Sequence, residues 1–142
     1  MSIASQVAKA VVAELKMHEF SLSFEPVFSV LPSYEPAELQ TLRVSVVPRT
    51  LEIESATRHS SKYTIGIDIG IQRRIEGTPE ETVEILGNLV DEISLFLKEN
   101  TLNDFPAAQW SGVSNDPLYV PEHLSQKRSF TSVLTVKYVL FD

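Results

Sequence analysis

Three histidines are the first residues to weigh for chemistry, because imidazole acts as an acid, a base or a metal ligand near neutral pH. His18, His59 and His123 are the only ones in the chain, and long stretches of sequence separate them. None has the i, i+4 spacing that places two metal ligands on one helix face. His59 precedes two serines, but adjacency in sequence is not the geometry of a catalytic triad. We therefore predict surface or loop histidines.

The other residue patterns that support catalysis are missing from the sequence. The chain has no cysteine, which excludes disulfides, thiolate metal sites and cysteine nucleophiles. Neither the P-loop pattern nor the dinucleotide-binding glycine pattern occurs. The string IGIDIG at 65–70 superficially resembles the first phosphate loop of actin-like ATPases, but the strand pattern continues beyond it and the chain is too short for two large lobes. We expect no enzymatic activity, no cofactor and no metal.

Carboxylates cluster in a predicted helix over 79–98. Thr78 is placed to cap its first turn, Pro79 occupies the first helical position, and Glu81 completes a capping box. At their spacings the acidic residues are expected to form a solvated helix face rather than a catalytic pair. These residues are Glu80, Glu81, Glu84 and Asp91.

Apolar spacing predicts the other regular elements. Apolar residues at steps of three to four predict an N-terminal helix over 2–17. Alternation of apolar and polar residues predicts strands over 42–47, 63–72 and 130–140, of which the isoleucine-rich 63–72 has the clearest pattern. Pro26 marks an edge strand or a bulge.

Three segments are expected to be irregular. The polar stretch 54–62 is predicted to be a solvated loop or arm, 31–39 is a connection punctuated by proline, and 100–128 contains four proline and glycine breakers. The order of elements predicts a single α+β domain over 1–142. In it, an antiparallel or mixed sheet of about four strands carries the N-terminal helix and the long central helix on one face.

Charge is unevenly distributed along the chain. Its net charge is −7, so neutralising a phosphate backbone cannot be a global source of affinity. Residues 43–74 hold six basic and three acidic side chains, whereas 76–104 hold eight acidic side chains and one basic. Opposite charge on two sides of a subunit suits head-to-tail contact, which closes into a ring when the rotation permits.

Aromatic and charged residues in the predicted loops are candidates for binding a partner. Trp110 and Tyr119 lie in the irregular segment, where such side chains either cover the core as a lid or anchor an interface. The candidate interface residues are Arg58, His59, Lys62, Arg73, Arg74, Trp110, Tyr119, Glu122, His123 and Arg128.

This arrangement resembles the small neck and tail-completion proteins of long-tailed bacteriophages, and most of all the tail terminator type. The resemblance covers most of the chain beyond its first forty residues. Its most particular stretches are NDPLYVPEHL (115–124) and RSFTSVLTVKY (128–138), and it extends to VSVVPRTLEI (44–53) and YTIGIDIGIQRRI (63–75).

The resemblance implies a structural role. A ring, usually of six subunits, would sit on the last layer of the tail tube, stop its polymerisation and offer a docking surface to the head. The implied partners are further copies of the chain, the major tail tube protein and the head-side connector or stopper protein. Genomic DNA would only pass through the channel. The protein would be located in the virion, at the neck of the tail, after assembly in the host cytoplasm, without contact with a membrane.

Two hypotheses place residues in such a ring. The acidic residues of the helix would face the channel, because carboxylates let phosphates slide past without sticking. The arm 54–62 would contact a neighbouring subunit or the tube. The alternatives are another neck component, such as a head-closure or connector-adaptor protein, and a small ligand-binding domain or enzyme with a pocket beneath 110–124.

Overall fold

A computed structural model describes residues 2–30, 40–126 and 128–142. Its helices are α1 (Ile3–Lys16), α2 (Pro79–Glu99) and α3 (Pro121–Gln126). Its strands are β1 (Pro26–Phe28), β2 (Arg43–Thr57), β3 (Ser60–Arg74), β4 (Gln109–Ser114) and β5 (Ser129–Phe141). They form one sheet in the order β1-β2-β3-β5-β4, in which β1 is parallel to β2 and the other pairs are antiparallel. The predicted α+β class, with a mixed sheet, is confirmed.

Both long helices begin at the caps that the sequence predicts. The Ser2 hydroxyl accepts a hydrogen bond from the Ser5 amide at 3.2 Å, and the Thr78 hydroxyl accepts one from the Glu81 amide at 3.2 Å. Each bond satisfies an amide that has no partner inside its helix. None of the helices in the described ranges is long and apolar enough to cross a membrane.

The core lies between one face of the sheet and the two long helices. Four isoleucines of β3 are fully buried on this face, and their partners on β2 and β5 are valine, leucine or tyrosine except for Pro48 and Ser132. α1 and α2 contribute their apolar stripes to the same cluster, so both helices cover one face, as predicted. We call this the helix face and the opposite side the second face. The isoleucines are Ile65, Ile67, Ile69 and Ile71.

One carboxylate is buried inside this core. Glu14 of α1 is 4% exposed, and its Oε1 accepts a hydrogen bond from the Asn103 amide at 2.7 Å. This bond ties α1 to the segment that follows α2. Tyr138 lies nearby on β5, and burial, followed by the negative charge of Glu14, raises the pKa of its hydroxyl above the usual value.

The structure corrects several boundaries. The predicted arm 54–62 is a β-hairpin, because β2 runs to Thr57, β3 starts at Ser60, and only Arg58 and His59 form the turn. The segment expected to be irregular, 100–128, contains the edge strand β4 and the short helix α3. The sheet therefore has five strands instead of about four. The predicted connection 31–39 lies outside the described residues.

Candidate assembly interface

One end of the sheet runs past the helices. Every residue from Arg49 to His59 is exposed, whereas the same strand is buried from Val44 to Val47. The C-terminal end of β5 follows the hairpin outward, and Asp142 exchanges two backbone hydrogen bonds with Ser61, at 2.8 and 3.0 Å. We call this three-stranded projection, residues 49–64 and 139–142, the sheet extension. A bulge at Arg49 separates it from the buried part of β2.

Hydroxyl groups hold the tip of the sheet extension together. The Thr57 and Ser60 hydroxyls lie 2.7 Å apart, and the Thr57 hydroxyl also accepts a bond from the His59 amide at 3.3 Å. The Ser55 hydroxyl donates to the Thr57 carbonyl at 3.2 Å. The tip is thus a defined turn that presents Arg58 and His59 to solvent.

The sheet extension exposes large apolar side chains. Leu51 is 45% exposed, Ile53 56% and Phe141 58%. Leu51 and Ile53 point to the helix face, because their partners on β3 are Ile65 and Tyr63. Apolar residues grouped on a strand that continues beyond its own core mark a surface that another molecule covers.

The candidate interface residues fall at two opposite ends of the sheet. Arg58, His59 and Lys62 belong to the hairpin tip, whereas Arg73 and Arg74 end β3. The eleven residue-to-residue steps from Lys62 to Arg73 span about 36 Å at the usual rise of a strand. The basic residues therefore do not form a single patch, in keeping with their positions on either side of the strand predicted over 63–72.

Some of the basic side chains between residues 43 and 74 are already paired or partly buried within the subunit. Arg49 donates to Asp68 at 3.1 Å, and the Thr135 hydroxyl donates to the other oxygen of Asp68 at 2.9 Å. Arg73 lies beside Phe130, where its Nε is buried without an acceptor among the described residues. Arg74, which is exposed, remains available to a partner.

The second end of the molecule collects most of the remaining candidates. The Tyr119 ring lies 6.3 Å from that of Phe130, and His123 Nδ1 lies 2.8 Å from the Thr131 hydroxyl. The carbonyl of Arg128, whose φ is 50°, accepts a bond from the Ile75 amide at 2.9 Å. Glu122 opens α3 at this same end.

The acidic residues of α2 border this end as well. Glu80 and Glu84 line an open groove of about 360 Å³ together with Tyr119 and Leu124. Asp91 lines an adjoining groove of about 300 Å³ with Glu84 and Tyr119. All four predicted acidic residues, Glu81 included, are exposed. The acidic and aromatic candidates, which the sequence analysis treated separately, thus share one surface.

Trp110 stands apart from both ends. It lies on β4 directly opposite Tyr138, and its side chain packs partly against the core. Its Nε1 and the Tyr138 hydroxyl are buried without a hydrogen-bond partner among the described residues. Trp110 therefore occupies the free edge of the sheet, with its ring on the helix face.

Two of the three histidines make side-chain contacts within the subunit. The His18 ring stacks on Phe96 and meets Phe20 edge to face, both at 4.6 Å between ring centroids. His59 lies in the hairpin turn and His123 contacts Thr131. Within the described ranges, no three side chains of the metal-binding types come close enough together to hold an ion. No protein-family model matches the chain, and no curated protein is significantly similar to it.

Proposed function

We propose that the protein is a structural component of long-tailed phage particles, of the tail terminator type, that forms a ring at the end of the tail tube. The observation that carries the proposal is the sheet extension. It exposes Leu51, Ile53 and Phe141 beyond the part of the sheet that the helices cover, while Tyr63 and Leu140 at its base pack against the core. A surface of this kind suits a protein that acts by contact with other subunits.

The two stretches with the most particular resemblance, 115–124 and 128–138, pack against each other and form one surface, which supports the same role. Asn115 donates through Nδ2 to the Val133 carbonyl at 2.9 Å, and the Val120 amide donates to the Thr131 carbonyl at 2.9 Å. Residues 115–124 thus lie along the start of β5 and form one surface with it. This surface and the sheet extension lie at opposite ends, as a joint between tube and head requires.

The acidic surface suits a channel for DNA. Glu80, Glu84 and Asp91 are exposed on the side of α2 that faces away from the sheet. In a ring, carboxylates at this position would repel the phosphates of a passing genome and prevent it from sticking. Particles that carry Glu80→Lys and Glu84→Lys should therefore eject DNA more slowly than the parent particles.

Electron microscopy of particles assembled without the protein tests the proposal. A terminator predicts tail tubes of uncontrolled length. Full heads that leak genome while tail lengths stay uniform would instead indicate head closure, the alternative neck role, which uses the same surfaces. Particles indistinguishable from the parent would contradict both.

Light scattering of the purified protein separates assembly from ligand binding. Concentration-dependent oligomers support assembly. A monomer at every concentration whose melting temperature rises on addition of a metabolite would favour a small ligand-binding domain instead.

A further inference from the structure

The sheet has two free edges among the described residues. β1 pairs with only three residues of β2, and from Val47 to Thr57 no described strand lies beside the outer edge of β2. At the opposite side, β4 is the last strand and its outer edge is likewise unpaired. Free edges present rows of unpaired backbone donors and acceptors that readily pair with another chain.

We propose that the ring is built by head-to-tail pairing of these two edges, so that β4 of one copy joins the outer edge of β2 of the next. This inference rests on the proposed ring and names its contact. β4 runs antiparallel to β2 within one subunit. A rotation about an axis along the strands keeps that direction, so the new pair is antiparallel as well.

Residues that lie directly opposite one another on successive strands form rows across the sheet, and these rows set the register of the proposed contact. Leu51, Ile65, Tyr138 and Trp110 form one row, since each is the direct partner of the next. A rotation about an axis along the strands keeps a row at one height. Trp110 of one copy therefore meets Leu51 of its neighbour.

The helix faces of the two edges complement each other. Leu51 is 45% exposed and Ile53 56% exposed on the edge of β2, while β4 presents Trp110 and Val113 on the same face. Directly opposed aromatic and aliphatic side chains stabilise a strand pair. The contact would cover Leu51, which lies opposite Trp110, and Ile53, which lies diagonal to it.

The second faces are complementary in charge. Glu52 and Glu54 lie on this face of β2, whereas Lys137 lies on β5, one strand inside the β4 edge. Lys137 is exposed, forms no salt bridge with another described residue, and has Gly112 beside it toward the free edge. Because Gly112 has no side chain, the lysine can extend across β4 toward Glu52 of a neighbour, which is two residues from Thr50, the end of the lysine's own row.

Charge also disfavours the symmetric alternative. Pairing β2 with β2 of a second copy would place Glu52 and Glu54 opposite or diagonal to the same residues of the partner. Like charges at such positions destabilise a strand pair. The heterologous contact avoids this repulsion, and it is the type that closes into rings.

Disulfide trapping tests the register, because the chain has no cysteine of its own. Gln109 and Glu52 belong to one row through Val139 and Thr64, and both are exposed. The variant with Glu52→Cys and Gln109→Cys should, on mild oxidation over a range of protein concentrations, give a ladder of covalent oligomers that ends at a closed ring. Equal amounts of the two single variants, mixed, should give dimers only.

Three controls make the result decisive. Gln109→Cys combined with Glu84→Cys, an exposed position on α2, should give no ladder. Glu52→Cys alone forming dimers as readily as the mixture would overturn the proposal in favour of symmetric pairing. If light scattering shows oligomers that never cross-link between residues 52 and 109, this contact is wrong while the ring stands. A strictly monomeric chain without cross-links overturns both.

A charge on the edge provides a second test without cysteines. Leu51→Lys should weaken self-association about tenfold or more, because lysine on an edge strand opposes pairing. Ile85→Lys is the matched control, since Ile85 on α2 is 47% exposed and Leu51 is 45% exposed. Equal effects of the two substitutions would refute a specific role for the β2 edge.

Discussion

Replacing Gly66 by alanine should destabilise the sheet at the point where β3 pairs with Thr50 of β2 and Lys137 of β5. Gly66 lies between Thr50 on β2 and Lys137 on β5, and the three side-chain positions share the second face. A Cβ built at Gly66 would overlap the Thr50 hydroxyl oxygen, while the Thr50 Cβ lies at an ordinary distance of 3.5 Å. Only the outer atoms of Thr50 therefore oppose the new methyl group.

The size of the effect follows from two opposing contributions. Turning Thr50 away from its preferred rotamer costs about 0.5–1.5 kcal/mol, and moving the strand instead costs about 1–3 kcal/mol. Alanine recovers about 0.5–1 kcal/mol, because glycine loses more conformational freedom on folding. Because the cheaper response governs, we expect Gly66→Ala to lower the unfolding free energy by up to about 1 kcal/mol, which lowers the melting temperature by up to about 3 °C.

A double-mutant cycle in urea checks this expectation. In a Thr50→Ala background the overlap disappears, so Gly66→Ala should raise the unfolding free energy by about 0.5 kcal/mol. In a Thr50→Val background a methyl group replaces the hydroxyl, and the loss should persist. The three backgrounds must share one denaturant slope for the comparison to hold. Equal effects of Gly66→Ala with threonine and with alanine at position 50 would refute the register of β2 on β3.

Three further predictions concern the buried polar groups and the hairpin tip. Tyr138→Phe should raise the unfolding free energy by about 1 kcal/mol, because the buried hydroxyl has no partner among the described residues. The pKa of Tyr138 is higher in the folded chain than in the unfolded chain, so the unfolding free energy of the parent protein should fall by up to about 1.4 kcal/mol per pH unit above pH ~10. The fall should be less steep in Tyr138→Phe. Identical plots of unfolding free energy against alkaline pH for the two proteins would contradict this prediction. Glu14→Ala should lower the unfolding free energy measured in urea by about 2 kcal/mol. Glu14→Gln should lower it much less, because glutamine retains an acceptor for the Asn103 amide. Equal losses would show that this hydrogen bond does not stabilise the fold. Reversing the tip charges with Arg58→Glu and Lys62→Glu should impair ring formation or docking in a sedimentation assay, with a small loss of melting temperature because residue 62 lies opposite Glu54 on β2; unchanged assembly would exclude the tip as a contact.

Local signals in the sequence were sufficient for the core and the helix starts. The alternation of Ile65 to Ile71 predicts a strand with one buried face, and that face is fully buried. Thr78 and Pro79 predict the start of α2, and the cap forms as expected. Each of these signals lies within a few residues of the structure it specifies.

The missed elements depend on distant partners. Residues 51–57 are exposed on both faces, so their apolar pattern is weak, and pairing with β3 makes them a strand. The turn at Arg58 and His59 lacks the Asn-Gly or Gly signal typical of tight hairpins. β4 contains Gly112 and a bulge, and it is a strand only because β5 pairs with it.

The candidate interface was predicted by residue type but not by position. The strand predicted over 63–72 already separates Arg58 from Arg73, but residue type alone does not show that they belong to different surfaces. Leu51 and Ile53 lie beyond the strand predicted over 42–47, and their exposure depends on where the helices end. The residues next to Lys137 in the sequence do not mark it as an interface residue, because its accessibility to a neighbour depends on the glycines beside it on β3 and β4.

The central claim is that the protein works as one subunit of a closed ring at the end of a tail tube. Electron cryomicroscopy of the neck of intact particles tests this claim most directly. We predict a ring of identical densities between tube and head, each fitted by a five-stranded sheet with two long helices on one face. A neck without this density, or with a single copy of the protein, would contradict the claim.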